Sequence, residues 1–170
     1  LCDDAYADAP RVFTAARPLT LAMVGALGQL YKAPDVLVDA FAQCVAQGDD
    51  LRMVLIGDGQ YRAVLQSRAA ALQVQDRIAF PGFLPAGEPV RAQLDAADLF
   101  VLPSRQEGLP RALVEAMARG LPCLGSTVGG IPELLDAEDL VPPGDVAALA
   151  TKIHDVVRDP ARLTRMSQRN

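Results

Sequence analysis

The sequence predicts one doubly wound α/β domain with a parallel sheet of about six strands. First, short apolar segments typical of strands alternate along most of the chain with segments of helical periodicity. Second, the apolar segments are continuous and do not alternate with polar residues, as in parallel strands that helices cover on both faces. Third, the 170 residues are enough for one domain with its own hydrophobic core.

The alternation begins after residues 1–18, a polar segment rich in Ala and Pro that we interpret as a linker or entry segment, and residues 19–170 form the predicted domain. A continuous apolar run predicts a buried strand over 19–27. Apolar residues at 36, 37, 40, 41, 44 and 45 predict a helix over 34–47, which Gly48 can end. The apolar segment 51–56, followed by two nearby glycines, predicts the second strand.

The remaining elements follow the same rule, with glycine or proline at most of their ends. Helices are predicted over 60–73, 89–96, 110–119, 145–158 and 160–168, with a helical turn over 131–135. Strands are predicted over 77–80, ended by Pro81-Gly82, over 98–102, ended by Pro103, over 122–125 and, at an edge, over 140–141.

Composition and charge argue against several classes of protein. Hydrophobic residues make up 51% of the chain and charged residues 22%, which indicates a globular protein. The net charge of −5 argues against nucleic acid as the main partner. The longest apolar run is too short to span a membrane, and we expect no signal peptide. Three widely spaced cysteines indicate a reduced, cytoplasmic protein, and the single histidine, His154, argues against a zinc site.

The loops at the carboxyl ends of the predicted strands form the candidate binding edge, because ligands of such sheets bind there. Glycine, proline and polar residues concentrate in these loops, which span 25–32, 57–59, 81–84, 103–110 and 126–130. Composition alone does not distinguish a binding edge from ordinary strand-to-helix loops, which are rich in the same residues.

The first of these loops contains neither the Gly-x-Gly-x-x-Gly dinucleotide pattern nor a P-loop. Gly25 allows the backbone to approach a phosphate closely, and Lys32 can add a cation just before a predicted helix. The alternative is that Lys32 is a solvated lysine at a helix start.

The segment 103–115 contains the largest number of candidate ligand-binding groups. We predict Pro110 as the first helical residue, which would leave the amides of Leu109, Arg111 and Ala112 free to bind an anion. Glu107 lies in the loop, where a ligand hydroxyl would be. Glu115 lies in an otherwise apolar helix and needs a partner such as a sugar diol if it is buried, the alternative being an exposed helix glutamate.

These segments together resemble the retaining GT-B glycosyltransferases of the group 1 (family 4) type. Glu107-Gly108-Leu109-Pro110 followed by Glu115 is similar to the family's Glu–seven residues–Glu motif. Further similar segments follow in the family's order and cover most of the chain: 24–32, 55–59, 80–83, 97–104, 115–122, 129–133 and 141–145.

The resemblance implies a Rossmann-like domain, the C-terminal half of a GT-B fold, that binds a nucleotide-diphosphate sugar for retaining transfer of a hexose to an acceptor. It implies that Lys32 contacts the diphosphate, that Glu107 faces the donor sugar and that Glu115 holds the ribose hydroxyls. The other donor-binding residues that it implies are Gly25, Phe83, Leu84, Gly108, Leu109 and Gly130, with the backbone of Phe83 and Leu84 against the base. No metal or other cofactor is expected, because cations and helix ends neutralise the diphosphate.

The chain departs from the family at several points. Ala26 stands where the family often has arginine, and Ala33 stands where a glycine usually follows the lysine. Arg105 or Arg111 would have to replace the missing cation. The resemblance also implies an N-terminal acceptor domain that this chain lacks, so we expect the chain alone to be inactive in transfer.

Two alternative functions stay open from the sequence. One is half of a nucleotide-sugar epimerase or of a phosphorylase with similar architecture, and the other is a non-catalytic nucleotide-binding module. In each case we expect a cytoplasmic location and no membrane span in this chain, with membrane association through the absent domain left open.

Overall fold

The computed structural model describes residues 6–7, 9–14 and 18–170, and its single six-stranded sheet confirms the predicted fold class. The strands are β1 Leu19–Val24, β2 Leu51–Ile56, β3 Ile78–Gly82, β4 Leu99–Leu102, β5 Cys123–Ser126 and β6 Leu140–Val141. The α-helices are α1 Pro34–Ala46, α2 Arg62–Ala71, α3 Glu88–Ala96, α4 Arg111–Ala118, α5 Val146–Val157 and α6 Pro160–Arg169. Three short 3₁₀ turns cover Gln75–Arg77, Ile131–Glu133 and Ala137–Asp139.

All paired strands are parallel, in the order β3-β2-β1-β4-β5-β6. The chain builds outward from β1 to β3 and then returns to place β4 on the other side of β1. The strand order therefore reverses between β1 and β4, and the carboxyl ends of these two strands flank a topological switch point. Ligands of doubly wound sheets bind in the crevice at such a point.

Helices cover both faces of the sheet, which explains the continuous apolar strands. On one face, Leu21 and Met23 of β1 belong to a buried cluster with residues of α1, α2, α5 and α6. On the other face, Ala22 of the same strand belongs to a second cluster with residues of α3 and α4. Successive side chains of a strand point to opposite faces, so both faces of such a strand favour apolar residues.

The ends of two strands differ from the sequence prediction by two residues or more, and the other strand ends differ by one residue at most. β1 ends at Val24 and not at residue 27, although the amides of Gly25 and Leu27 still donate to the carbonyls of Ile56 and Asp58, both at 2.9 Å. β3 continues through Pro81 to Gly82. A proline is tolerated here because β3 is an edge strand, and the Gly82 carbonyl accepts a 2.9 Å hydrogen bond from the amide of Gly57.

Within the predicted entry segment, Arg11 contacts three helices. Its amide donates to Ser167 Oγ of α6 at 2.8 Å, and its guanidinium donates to the carbonyls of Leu94 and Ala97 at the end of α3 and to that of Arg119 after α4. These last carbonyls of a helix have no partner within the helix itself. The domain boundary at residue 18 stays a prediction.

The described cysteines, Cys44 and Cys123, are both buried and unpaired, whereas Cys2 lies outside the described residues. Burial raises the pKa of the Cys44 thiol to about 12, so this sulfur is protonated and unreactive at neutral pH. Within the described ranges, no helix has both the length and the apolar character that a membrane span requires.

Candidate donor-binding site

The loops that follow β1 and β4 meet at the switch point through one ion pair. Lys32 Nζ lies 3.1 Å from Glu107 Oε2, although 75 residues separate them in the chain. The two side chains are only 13% and 8% exposed. The structure thus brings together the two residues for which the resemblance implies contacts with the diphosphate and with the donor sugar, and it excludes a freely solvated Lys32.

A second set of contacts clamps the same two loops. The amide of Arg105 donates to the carbonyl of Tyr31 at 2.6 Å. The Arg105 guanidinium donates to the carbonyl of Leu30 at 2.9 Å and to both carboxylate oxygens of Asp35 at 2.9 and 2.8 Å. Burial alone would raise the pKa of Asp35, but the hydrogen bonds and charge of Arg105 outweigh it and lower that pKa. Arg105 is therefore engaged in the clamp and is not a spare cation for a phosphate.

Gly25 leaves space for a side chain of its own loop. A Cβ at this position would overlap the side chain of Lys32, so the glycine makes room for the lysine stem on its way to Glu107. Gly57, in the neighbouring loop with a φ of +142°, has the same relation to the first loop, because its Cβ would overlap the Gly25 carbonyl.

Ala33 follows Lys32 in the left-handed conformation, with φ 54° and ψ 46°, and is fully buried as the N-cap of α1. A side chain in this conformation costs about 1–2 kcal/mol. The glycine that the family resemblance implies at this position would avoid this cost. The backbone at Ala33 is thus in the left-handed conformation that glycine adopts readily, and the alanine side chain makes this conformation less favourable.

The start of α4 differs from the prediction. Pro110 is the N-cap and not the first helical residue, and α4 begins at Arg111. The amide of Arg111 donates to the carbonyl of Leu109 at 2.9 Å, so it is not free for an anion. The amides of Gly108 and Leu109 have no acceptor within the described part of the chain, and the Leu109 side chain is 74% exposed.

The loop after β5 supports the Glu107 loop through two glycines. The amide of Gly130 donates to the carbonyl of Gly108 at 3.1 Å, so this amide of a predicted donor-binding residue is already used inside the protein. Gly129 has a φ of +53°, and a Cβ there would overlap the carbonyl oxygen of Glu107. The Gly-Gly pair was visible in the sequence, but its closeness to Glu107 was not.

Two buried serines, Ser104 and Ser126, also belong to the site, although the sequence did not indicate a role for them. Ser104 Oγ donates to Glu107 Oε2 at 3.0 Å, and Ser126 Oγ donates to the Ser104 carbonyl at 2.5 Å. Both serines are fully buried at the ends of apolar strands. A hydroxyl buried at that position needs a hydrogen-bond partner, and this was the one signal in the sequence that could have identified them.

Glu115 lies on α4 between the buried residues Leu113 and Ala116 and is itself half-buried. Its carboxylate has no hydrogen bond or ion pair with any described residue. Glu115 is therefore not fully exposed, and no described residue provides a hydrogen-bond partner for its carboxylate. Phe83, 75% exposed, and Leu84 follow the edge strand β3 at the same end of the sheet.

The site thus offers a cation, the two backbone amides that follow Glu107 in the chain, and carboxylate oxygens that have no partner among the described residues. This set can bind an anionic group beside a polyhydroxylated one. Among the described residues, no cluster of His, Cys, Asp or Glu has the arrangement of a metal site.

Comparison with known proteins points in the same direction. The family described as "Glycosyl transferases group 1" matches residues 9–170. The chain is 39% identical over 150 residues to WcaL of Salmonella typhimurium, which is named as a glycosyltransferase of colanic acid biosynthesis; the match covers 83% of this chain and 36% of WcaL. It is 37% identical over 132 residues to the 2-deoxystreptamine glucosyltransferase of Streptomyces kanamyceticus, covering 73% of this chain and 33% of that enzyme.

Among solved structures, HepE of Anabaena in complex with UDP and glucose superposes with a TM-score of 0.81 at 26% identity, covering 91% of this chain and 42% of HepE. The Rossmann-like sheet is common to both. The chain thus spans about a third of the length of the two curated relatives.

Proposed function

The chain belongs to the group 1 glycosyl transferases, and we propose that it is the donor-binding C-terminal domain of a retaining enzyme that transfers a hexose from a nucleotide-diphosphate sugar to an acceptor. The observation that carries the proposal is the Lys32–Glu107 pair at the switch point of the sheet. It places a cation and a carboxylate together where the two parts of such a donor, a diphosphate and a sugar, would lie side by side.

In this proposal Lys32 leaves Glu107 and binds the diphosphate, where it neutralises the negative charge that grows on the leaving nucleotide. The free amides of Gly108 and Leu109 donate to the donor sugar or to a phosphate oxygen. Glu107, released from the lysine, faces the donor sugar. The Phe83–Leu84 backbone lies against the base.

Two further points support the finer parts of the proposal. A hexose is supported by the glucose and UDP bound to HepE and by the glucosyltransferase among the relatives. Retention of configuration is supported by the Glu–seven residues–Glu spacing of Glu107 and Glu115. An acceptor domain elsewhere in the polypeptide would position the acceptor, so the chain alone would bind the donor without transferring sugar.

A thermal-shift panel of UDP, GDP, ADP and their hexose conjugates tests the proposal. One nucleoside diphosphate and its sugar should stabilise the chain, by about 2.7 kcal/mol at a hundredfold excess over Kd. The shift should be the same in EDTA and in Mg²⁺, because Lys32 and backbone amides provide the positive charge. No shift with any of the six ligands would contradict the proposed function, and a shift only with Mg²⁺ would contradict the metal-free site.

Glu115→Gln tests the ribose contact. The carboxylate has no partner among the described residues, so its loss should weaken nucleotide binding by about 1–3 kcal/mol, the scale of charge-assisted hydrogen bonds. The free energy of unfolding should change by less than about 0.5 kcal/mol, because the amide keeps the shape. Titration calorimetry and urea unfolding measure the two effects, with Asp155→Asn, which changes an exposed carboxylate on α5, as the control. Equal affinities of Glu115→Gln and the unmodified chain would remove Glu115 from the site.

A further inference from the structure

Ser104 connects the sheet to the carboxylate of Glu107. It follows β4 and is fully buried, and its hydroxyl donates to Glu107 Oε2 at 3.0 Å. Its own carbonyl accepts a 2.5 Å hydrogen bond from Ser126 Oγ at the end of β5. The ends of two neighbouring strands of the sheet therefore hold the backbone that carries the Ser104 hydroxyl. A donor held in this way is more rigid than one on a long side chain.

The hydrogen bonds to Glu107 are asymmetric. Lys32 Nζ and Ser104 Oγ both contact Oε2, whereas Oε1 has no partner among the described residues. If Lys32 moves to a diphosphate, Ser104 is the one donor to Oε2 that remains among the described residues. The carboxylate then keeps its orientation, and Oε1 stays free to accept a hydrogen bond from a ligand.

We propose that Ser104 is a positioning residue of the donor site, which holds Glu107 by Oε2 so that Oε1 accepts from a hydroxyl of the donor sugar. This inference rests on the proposed function. It predicts that the Ser104 hydroxyl matters for the sugar part of the ligand and not for the nucleotide part, although Ser104 itself contacts neither.

The experiment is a titration of the chain with two ligands, the nucleoside diphosphate selected by the thermal-shift panel and its hexose conjugate. Ser104→Ala should weaken binding of the conjugate about threefold to tenfold and change binding of the diphosphate by less than about twofold. In a Glu107→Ala background, Ser104→Ala should have no further effect on either ligand, because the group that it positions is absent.

Ser167→Ala is the matched control. This serine is also buried and donates to a carbonyl, that of Gly120 at 2.6 Å, but it lies on α6 away from the site. Its replacement should lower stability and leave both affinities unchanged. Ser104→Cys, which still fills the space of the hydroxyl and offers only a weak donor, serves if the alanine variant does not fold, and it should show the same selective loss.

Equal weakening of both ligands by Ser104→Ala, or the same weakening in the Glu107→Ala background, would show a purely structural role and overturn the inference while the proposed function stands. Unchanged affinity for the conjugate would overturn it as well. Failure of the unmodified chain to bind any ligand of the panel would overturn the proposed function itself and the inference with it.

Discussion

Lys32→Ala is expected to weaken binding of the nucleoside diphosphate by about 1–3 kcal/mol and to leave binding of the bare nucleoside almost unchanged. The reason is that the diphosphate carries the negative charge that Lys32 would bind, whereas the nucleoside has no phosphate. The change also leaves the Glu107 carboxylate, 8% exposed, without its cation next to the incoming anion. This second effect adds repulsion, because charges interact strongly when water is largely excluded.

Calorimetric titration with the diphosphate and the nucleoside separates these effects. The double variant Lys32→Ala/Glu107→Gln should bind the diphosphate better than Lys32→Ala, because the uncompensated negative charge is gone. Lys152→Ala is the matched control, since Lys152 donates to the carbonyl of Glu138 away from the site. If Lys32→Ala kept full diphosphate affinity while Arg111→Ala lost it, the phosphate site would belong to the start of α4.

Gly129→Ala is expected to be the most disruptive of the single substitutions, with a cost of about 2–4 kcal/mol in the free energy of unfolding. Gly129 has a φ of +53°, which a side chain disfavours. Its Cβ would also overlap the carbonyl oxygen of Glu107, so the backbone of the site must move. Donor binding should therefore be lost even under conditions in which the variant is folded.

Gly144→Ala separates the two causes. Gly144 also has a positive φ, +78°, but a Cβ there would have no neighbour within 4 Å. This control should cost only the conformational part, about 1–2 kcal/mol, and should leave nucleotide affinity unchanged. Urea unfolding followed by titration measures both variants. If the two substitutions lowered the free energy of unfolding equally, the Glu107 loop would accommodate the Cβ of Gly129→Ala without cost, which would contradict the prediction.

The fold could be predicted from the sequence because each strand is apolar on both faces and each helix has one apolar side. Errors occurred where tertiary context overrides local rules. Pro81 indicates a strand end, yet β3 continues through it because an edge strand needs no amide there. Pro110 indicates the first helical turn, yet its neighbours form a tight turn in which the Arg111 amide is used by Leu109.

Single residues of the candidate site could be selected from the sequence, but the contacts between them could not be predicted. The family resemblance implied roles for Lys32 and Glu107 separately, but their contact joins loops 75 residues apart and depends on the strand order. The same limit applies to the Arg105–Asp35 clamp and to Ser104. Each of these residues has an ordinary local context, and only the return of the chain from β3 to β4 brings it to its partner.

The structure of the chain with a nucleotide-diphosphate hexose bound tests the central claim most directly. The account predicts that Lys32 Nζ leaves Glu107 and lies about 2.7–3.1 Å from a phosphate oxygen, the usual range of such bonds. Ser104 should still donate to Glu107 Oε2, with Oε1 on a sugar hydroxyl. A complex in which Lys32 stays paired with Glu107 while the diphosphate binds elsewhere would contradict it.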